Sequence, residues 1–173
     1  EDGRIAYAGK YSAPDYEKIL AANCGLAIEN TMILHTPEVK EQLERFGIPV
    51  VVERSSYESS PLARMEWIKF WGILLGRETL AEQVFQTQVE RIQPLLEQAP
   101  TGKTCAFFSI TANNLANVRK GGDYVAQMIG MAGADYVFSD LTDSGNTLST
   151  MNLPLELFYA AAKDADILIY SLC

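Results

Sequence analysis

Hydrophobic and polar positions along this chain keep two rhythms, one helical and one strand-like, and the rhythm changes at glycine and proline. Residues 14–22 have the spacing of a short helix with Pro14 in its first turn, and the apolar stretch 25–28 reads as a buried strand. Thr36-Pro37 opens a second helix with Val39, Leu43 and Phe46 on one face, closed by Gly47, and the β-branched run 48–52 follows as a strand. That succession is one βαβ unit. Ser59 or Ser60 before Pro61 caps a helical segment carrying Leu62, Met65, Ile68, Phe70, Ile73 and Leu74, with a break expected near Gly76. From 77 to 98 the positions Leu80, Val84, Val89, Ile92, Leu95 and Leu96 hold helical spacing, and Pro94 is expected to kink the last turns.

The turn Pro100-Thr101-Gly102-Lys103 starts a second series. A strand at 104–109 leads through a loop at 110–122 into a helix carrying Tyr124, Val125, Met128, Ile129 and Met131, closed by Gly133. A polar stretch at 139–150, a helix at 154–163 and a strand at 166–170 complete it. Alternating helix and strand implies an α/β fold with mostly parallel sheets, laid out as an α/β half, a long helix and another α/β half. Residues 1–60 are expected in an N-terminal lobe, 61–100 in connecting helices and 101–173 in a C-terminal lobe.

Composition narrows the function classes. The 173 residues are 48% hydrophobic and 21% charged, as in an ordinary globular domain. The net charge of −8, with Lys and Arg scattered and only Arg119-Lys120 adjacent, argues against nucleic acid as a partner, because phosphate binding needs a basic footprint. Cys24, Cys105 and Cys173 are far apart and form neither a disulfide framework nor a metal-ligand set. His35, the only histidine, precedes a helix start and reads as an exposed or capping residue, so no triad or metal centre is expected. The tract Ser139-Asp140-Leu141-Thr142-Asp143-Ser144-Gly145-Asn146 lacks the spaced acids of a calcium loop and reads as surface. GxGxxG, GxxxxGK[ST] and GxSxG are all missing, which weighs against the second reading, an enzyme on a nucleotide-binding α/β fold. A third, a metal-cluster scaffold of the nitrogenase-like kind, would need clustered cysteines.

Ligands of open α/β lobes sit at the carboxyl ends of strands. The loops there offer Asn30, Thr31 and Met32, then Arg54 to Glu58, then Asn113, Asn114 and Arg119. Residues 54–67 concentrate arginine, aromatics and hydroxyls: Arg64 presents a planar fork to an anion, Glu58 lies beside it, and Tyr57 or Trp67 offers a face for a flat ligand. The plainer alternative pairs Arg64 with Glu58 or Glu66 and leaves Trp67 as core. Asn114, Arg119 and Tyr124 are expected to face this stretch from the second lobe, with Gly121-Gly122 allowing close backbone approach and Asp123 capping a helix.

Four stretches carry a resemblance. They are 9–29 (Gly-Lys-Tyr-Ser-Ala-Pro-Asp-Tyr-Glu-Lys-Ile-Leu-Ala-Ala-Asn-Cys-Gly-Leu-Ala-Ile-Glu), 43–52 (Leu-Glu-Arg-Phe-Gly-Ile-Pro-Val-Val-Val), 124–138 (Tyr-Val-Ala-Gln-Met-Ile-Gly-Met-Ala-Gly-Ala-Asp-Tyr-Val-Phe) and 163–170 (Lys-Asp-Ala-Asp-Ile-Leu-Ile-Tyr). In order and spacing they resemble the extracytoplasmic solute-binding proteins of ABC importers, in the helix-linked class that takes iron-siderophore, haem or cobalamin-type chelates.

The resemblance implies two Rossmann-like, parallel-sheet lobes joined by a long rigid α-helix. Both lobes are expected to be incomplete, the chain being an internal fragment. It also implies a non-catalytic protein without cofactor, placed in the periplasm or anchored as a lipoprotein, that delivers a metal chelate to a membrane permease. The family's permease-docking acids match Glu17 and Glu156, although an acid in a first helical turn is also favoured by the macrodipole. Cut sheets would expose strand edges, so self-association of the fragment is expected.

Overall fold

The computed structural model describes residues 5–142 and 149–172, and contact density divides the chain into two compact units, Glu1–Arg54 and Ser55–Cys173. The first opens with the antiparallel pair β1 (Gly9–Lys10) and β2 (Ala13–Pro14). Gly9 sits at φ +99°, where a Cβ would press on the Ala13 carbonyl oxygen at 2.6 Å. α1 (Tyr16–Ala21) begins later than the proline suggested, because Asp15 takes the capping role. Its carboxylate accepts the Lys18 N–H at 3.1 Å, and Pro14 is left in the strand.

The expected βαβ unit follows. β3 (Ala27–Asn30) pairs in parallel with β4 (Val50–Glu53), and the chain crosses between them through a 3₁₀ turn, Thr31–His35, and α2 (Pro37–Arg45). α2 ends where Gly47 takes φ +78° and the Ile48 N–H returns to the Leu43 carbonyl at 3.1 Å. Val39 and Leu43 are buried with Ile33 and Ile48 as this unit's core. Phe46, expected on the same face, stays 40% exposed and meets Tyr16 edge-on at 5.6 Å.

In the second unit α3 (Pro61–Leu74) starts at Ser60, whose hydroxyl accepts the Ala63 N–H at 3.5 Å. α3 breaks at Gly76, φ +61°, before the 19-residue α4 (Glu78–Leu96), and Pro94 lies in the last turn of α4. The long helix is thus the second arm of a hairpin. A Cβ on Gly72 would lie 2.5 Å from that of Ala81, and Lys69 reaches Glu82 at 3.1 Å and the Phe85 ring at 4.3 Å. Those pairs run in opposite sequence directions, which makes the two helices antiparallel.

The sheet of this unit comprises β5 (Thr104–Ile110), β6 (Leu115–Arg119), β7 (Asp135–Tyr136), β8 (Thr150–Pro154) and β9 (Ile167–Tyr170), with α5 (Tyr124–Met131) between β6 and β7 and α6 (Leu155–Ala162) between β8 and β9. β5 pairs in parallel with β7 and β9 and antiparallel with β6, which pairs antiparallel with β8. The sheet is therefore mixed, with two parallel and two antiparallel pairings, where the reading from sequence expected mostly parallel sheets. β6 lies inside the stretch taken as a loop at 110–122, and β8 begins at the end of the polar stretch.

In both strands a central asparagine interrupts the apolar residues, leaving no continuous run to read. In β6 only Ala116 and Val118 face the core, and Asn117 on the other face donates to Asn152 of β8 at 2.8 Å. The core gathers Cys105, Ala106, Val118, Ile129, Tyr136 and Phe138. At the start of β5 the Asp166 carboxylate takes the Lys103 ammonium at 2.7 Å and the Thr104 N–H at 2.9 Å, bonds that hold its pKa down at about 2. β9 has all four residues exposed. No described helix is long and apolar enough to cross a membrane.

Candidate functional site

The stretch singled out at 54–67 folds around one guanidinium. Ser60 and Pro61 fix where α3 begins, so Arg64 falls on its first turn and reaches back over the preceding loop. Its Nε donates to the Glu58 carbonyl at 2.8 Å and its Nη2 to the Ser56 carbonyl at 2.6 Å. The plane of the same group lies over the Tyr124 ring, 3.6 Å from its centre. Arg64 thereby ties the loop to the first residue of α5.

Neither acid offered as a partner by the plainer reading takes it. Glu58 accepts instead from the Trp67 indole N–H at 3.2 Å, and Glu66 pairs with Lys69 at 3.4 Å. Among the described residues Arg64 forms no ion pair, and it stands beside a recess of about 390 Å³. The recess is lined by Ser56, Tyr57, Glu58, Ser59, Arg64, Gly122, Asp123, Tyr124 and Ser149.

Its floor is built on Asp123. This carboxylate, 2% exposed, caps α5 by accepting the Val125 N–H at 2.9 Å and lies 3.8 Å from Arg119. The cap expected from sequence is thus in place, and it also neutralises the arginine. The Tyr136 hydroxyl donates to the Arg119 carbonyl at 2.8 Å and accepts the Arg119 N–H at 3.1 Å, bracing the end of β6. Burial, as the leading cause, pushes the Tyr136 phenol far above its ordinary pKa, so it stays a neutral strut.

The structure brings together Tyr57, Glu58, Arg64 and Tyr124 of the expected binding residues. Trp67 turns away. It packs edge-on against Phe70 at 5.6 Å and lines a shallow depression with Ala63 and Glu66. Arg119 adjoins the floor through Asp123, whereas Asn114 sits at the β5–β6 turn with φ +56°. Five residues at ~3.3 Å each put those two positions roughly 16 Å apart along the strand.

Asn30, Thr31 and Met32 belong to the first unit, at the carboxyl end of β3, where the Asn30 side chain accepts the Met32 N–H at 2.8 Å. Glu17 and Glu156 are exposed in the first turns of α1 and α6. Ser56, Ser59 and Gly122, from stretches already singled out, also line the recess, whereas Ser149 comes from the polar stretch, and nothing in its neighbours marks it. Among the described residues no group of three or more His, Cys, Asp or Glu converges to hold a metal. Residues 143–146 of the calcium-like tract lie outside the described residues.

No family model matches the sequence. An uncharacterized lipoprotein of Methanocaldococcus jannaschii is 24% identical over 96% of this chain and 39% of its own length. Among solved structures, the periplasmic haem-binding protein HutB of Vibrio cholerae superposes with a TM-score of 0.71 at 21% identity, covering 95% of this chain and 60% of that one. The siderophore-binding protein FhuD of Vibrio cholerae, solved with Fe3+-Desferal, gives 0.69 at 16% identity, covering 99% and 64%. A possible iron-binding periplasmic solute-binding protein of Staphylococcus epidermidis gives 0.68 at 14%, covering 93% and 60%. The fold defined by the two units is that of the periplasmic solute-binding proteins, and the chain spans about three-fifths of the length of these structures.

Proposed function

We propose that this chain is part of the solute-binding component of an ABC importer, placed outside the cytoplasmic membrane, that captures an anionic metal chelate of the iron-siderophore, haem or corrinoid kind. The observation that carries this reading is the guanidinium of Arg64, in no ion pair among the described residues, at a preformed recess flanked by the exposed ring of Tyr57. An arginine fork with one edge left over suits a carboxylate or phosphate, and aromatic faces suit a planar or catecholate ligand. The hydroxyls, carboxylates and single guanidinium that line the recess suit the binding of a polar ligand. Arg119 supports the seat in this reading through its pairing with Asp123, while Asn114 and Trp67 lie outside the recess lining.

The test is tryptophan emission of the protein, extended to the length of the structures it matches, titrated with haem, cobalamin and ferric siderophores. Saturable quenching by one of them is expected, with Arg64→Ala weakening it at least tenfold. A flat response to the whole panel would remove the proposal. Glu17 and Glu156, exposed on first helical turns, are proposed to dock on the permease. Their joint exchange for lysine is expected to abolish uptake of the chelate by cells while leaving quenching unchanged; uptake at the original rate would exclude them.

A further inference from the structure

A second cavity, of about 470 Å³, opens beside the recess, and Arg64 and Tyr124 line both. Its other walls are apolar. Met65 comes from α3, Ile92 and Leu95 from the end of α4, and Met128 one turn along α5 from Tyr124. These side chains are open to solvent: Met65 is 38% exposed, Leu95 50% and Met128 51%. Thioethers on unbranched stems adapt to irregular apolar shapes, and the volume is ordinary for a small-molecule site.

The charge at the mouth is a single guanidinium. Two of its donors serve the loop carbonyls and its face covers Tyr124, while Nη1 meets no acceptor and the group no carboxylate among the described residues. A polar recess and an apolar groove therefore meet at one unpaired positive charge. We infer that the groove receives the apolar arm of an amphiphilic anion whose acidic head lies against Arg64. The inference rests on the proposed reading of the recess as an anion seat, and it adds that the ligand carries a flexible aliphatic portion beyond its acid. Charge complementarity selects the head, and the methionine-lined walls select the tail, since each apolar contact removes surface from water on both sides.

The chain is titrated with 11-(dansylamino)undecanoic acid below its aggregation concentration, and the bound probe is displaced with laurate or with dodecyltrimethylammonium. Dansyl emission is expected to rise to saturation at one probe per chain. Laurate is expected to displace it at a concentration at least tenfold lower than the cation of equal length. Met128→Glu, at a half-exposed position, is expected to weaken the probe at least tenfold with an unchanged thermal midpoint, and Met128→Leu to restore it. Equal displacement by the cation, undiminished binding to Met128→Glu, or probe bound only by a dimer in light scattering overturns the inference. Loss of chelate quenching with laurate-sensitive probe binding intact sinks the chelate reading alone. Chelate quenching with no probe binding sinks this one alone.

Discussion

Gly121→Ala is expected to lower the thermal midpoint by on the order of 10 °C, while Gly122→Ala, one residue on, leaves it unchanged. A Cβ on Gly121 would overlap the carbonyl group of Ser139, a backbone atom that no rotamer change moves aside. The neighbouring bonds hold the segments there: the Lys120 N–H reaches the Ser149 carbonyl at 2.9 Å, and the Gly121 N–H reaches that of Leu141 at 3.4 Å. Relief of the overlap requires the 120–121 segment to part from 139–141, and overpacking of this kind costs about 3 kcal/mol. In a chain of this length each kcal/mol moves the midpoint by roughly 2–4 °C. Gly122 faces open space at the recess, with nothing within 4 Å of its would-be Cβ. Circular dichroism melts of the two variants check the pair, and equal midpoints would contradict the packing described here.

Asp123→Ala is expected to cost about 3 kcal/mol, and Asp123→Asn roughly half of that. The alanine removes the α5 cap, worth about 1 kcal/mol, and also strips Arg119 of its buried partner. A half-buried arginine left without its acid accounts for the remaining loss. Asparagine keeps an oxygen for the Val125 N–H and loses only the charge. Chemical denaturation of the three proteins measures the split. Equal losses for the two variants would show that the charge, and not the cap, carries the whole effect. No loss for either would show that the floor of the recess does not depend on Asp123.

Much of this was legible where the signal is local. The Ser60-Pro61 start, the Gly76 break, the Gly47 and Gly133 stops and the Asp123 cap each involve atoms within a few residues of one another, so propensity and capping chemistry suffice. The Pro14 start failed because Asp15 competed locally and won. The stretch 54–67, which supplies much of the recess lining, was singled out from its residue types and its place after a strand, and Gly121-Gly122 was marked for close approach. For Gly121 the approaching group proved to be Ser139.

The chain's pattern by itself determined the α/β alternation, the βαβ unit and the positions of the helices, because amphipathic period and end signals are properties of contiguous residues. The tertiary structure decided the rest. It made the second sheet mixed by turning β6 back on β5 and pairing it with β8, about 35 residues away, as Asn117 and Asn152 are. It set Arg64 on Tyr124, sixty positions on, and turned Trp67 toward Glu58. Which arginine keeps an unspent charge depends on the acids that folding brings within reach, and separation along the chain carries no trace of that distance.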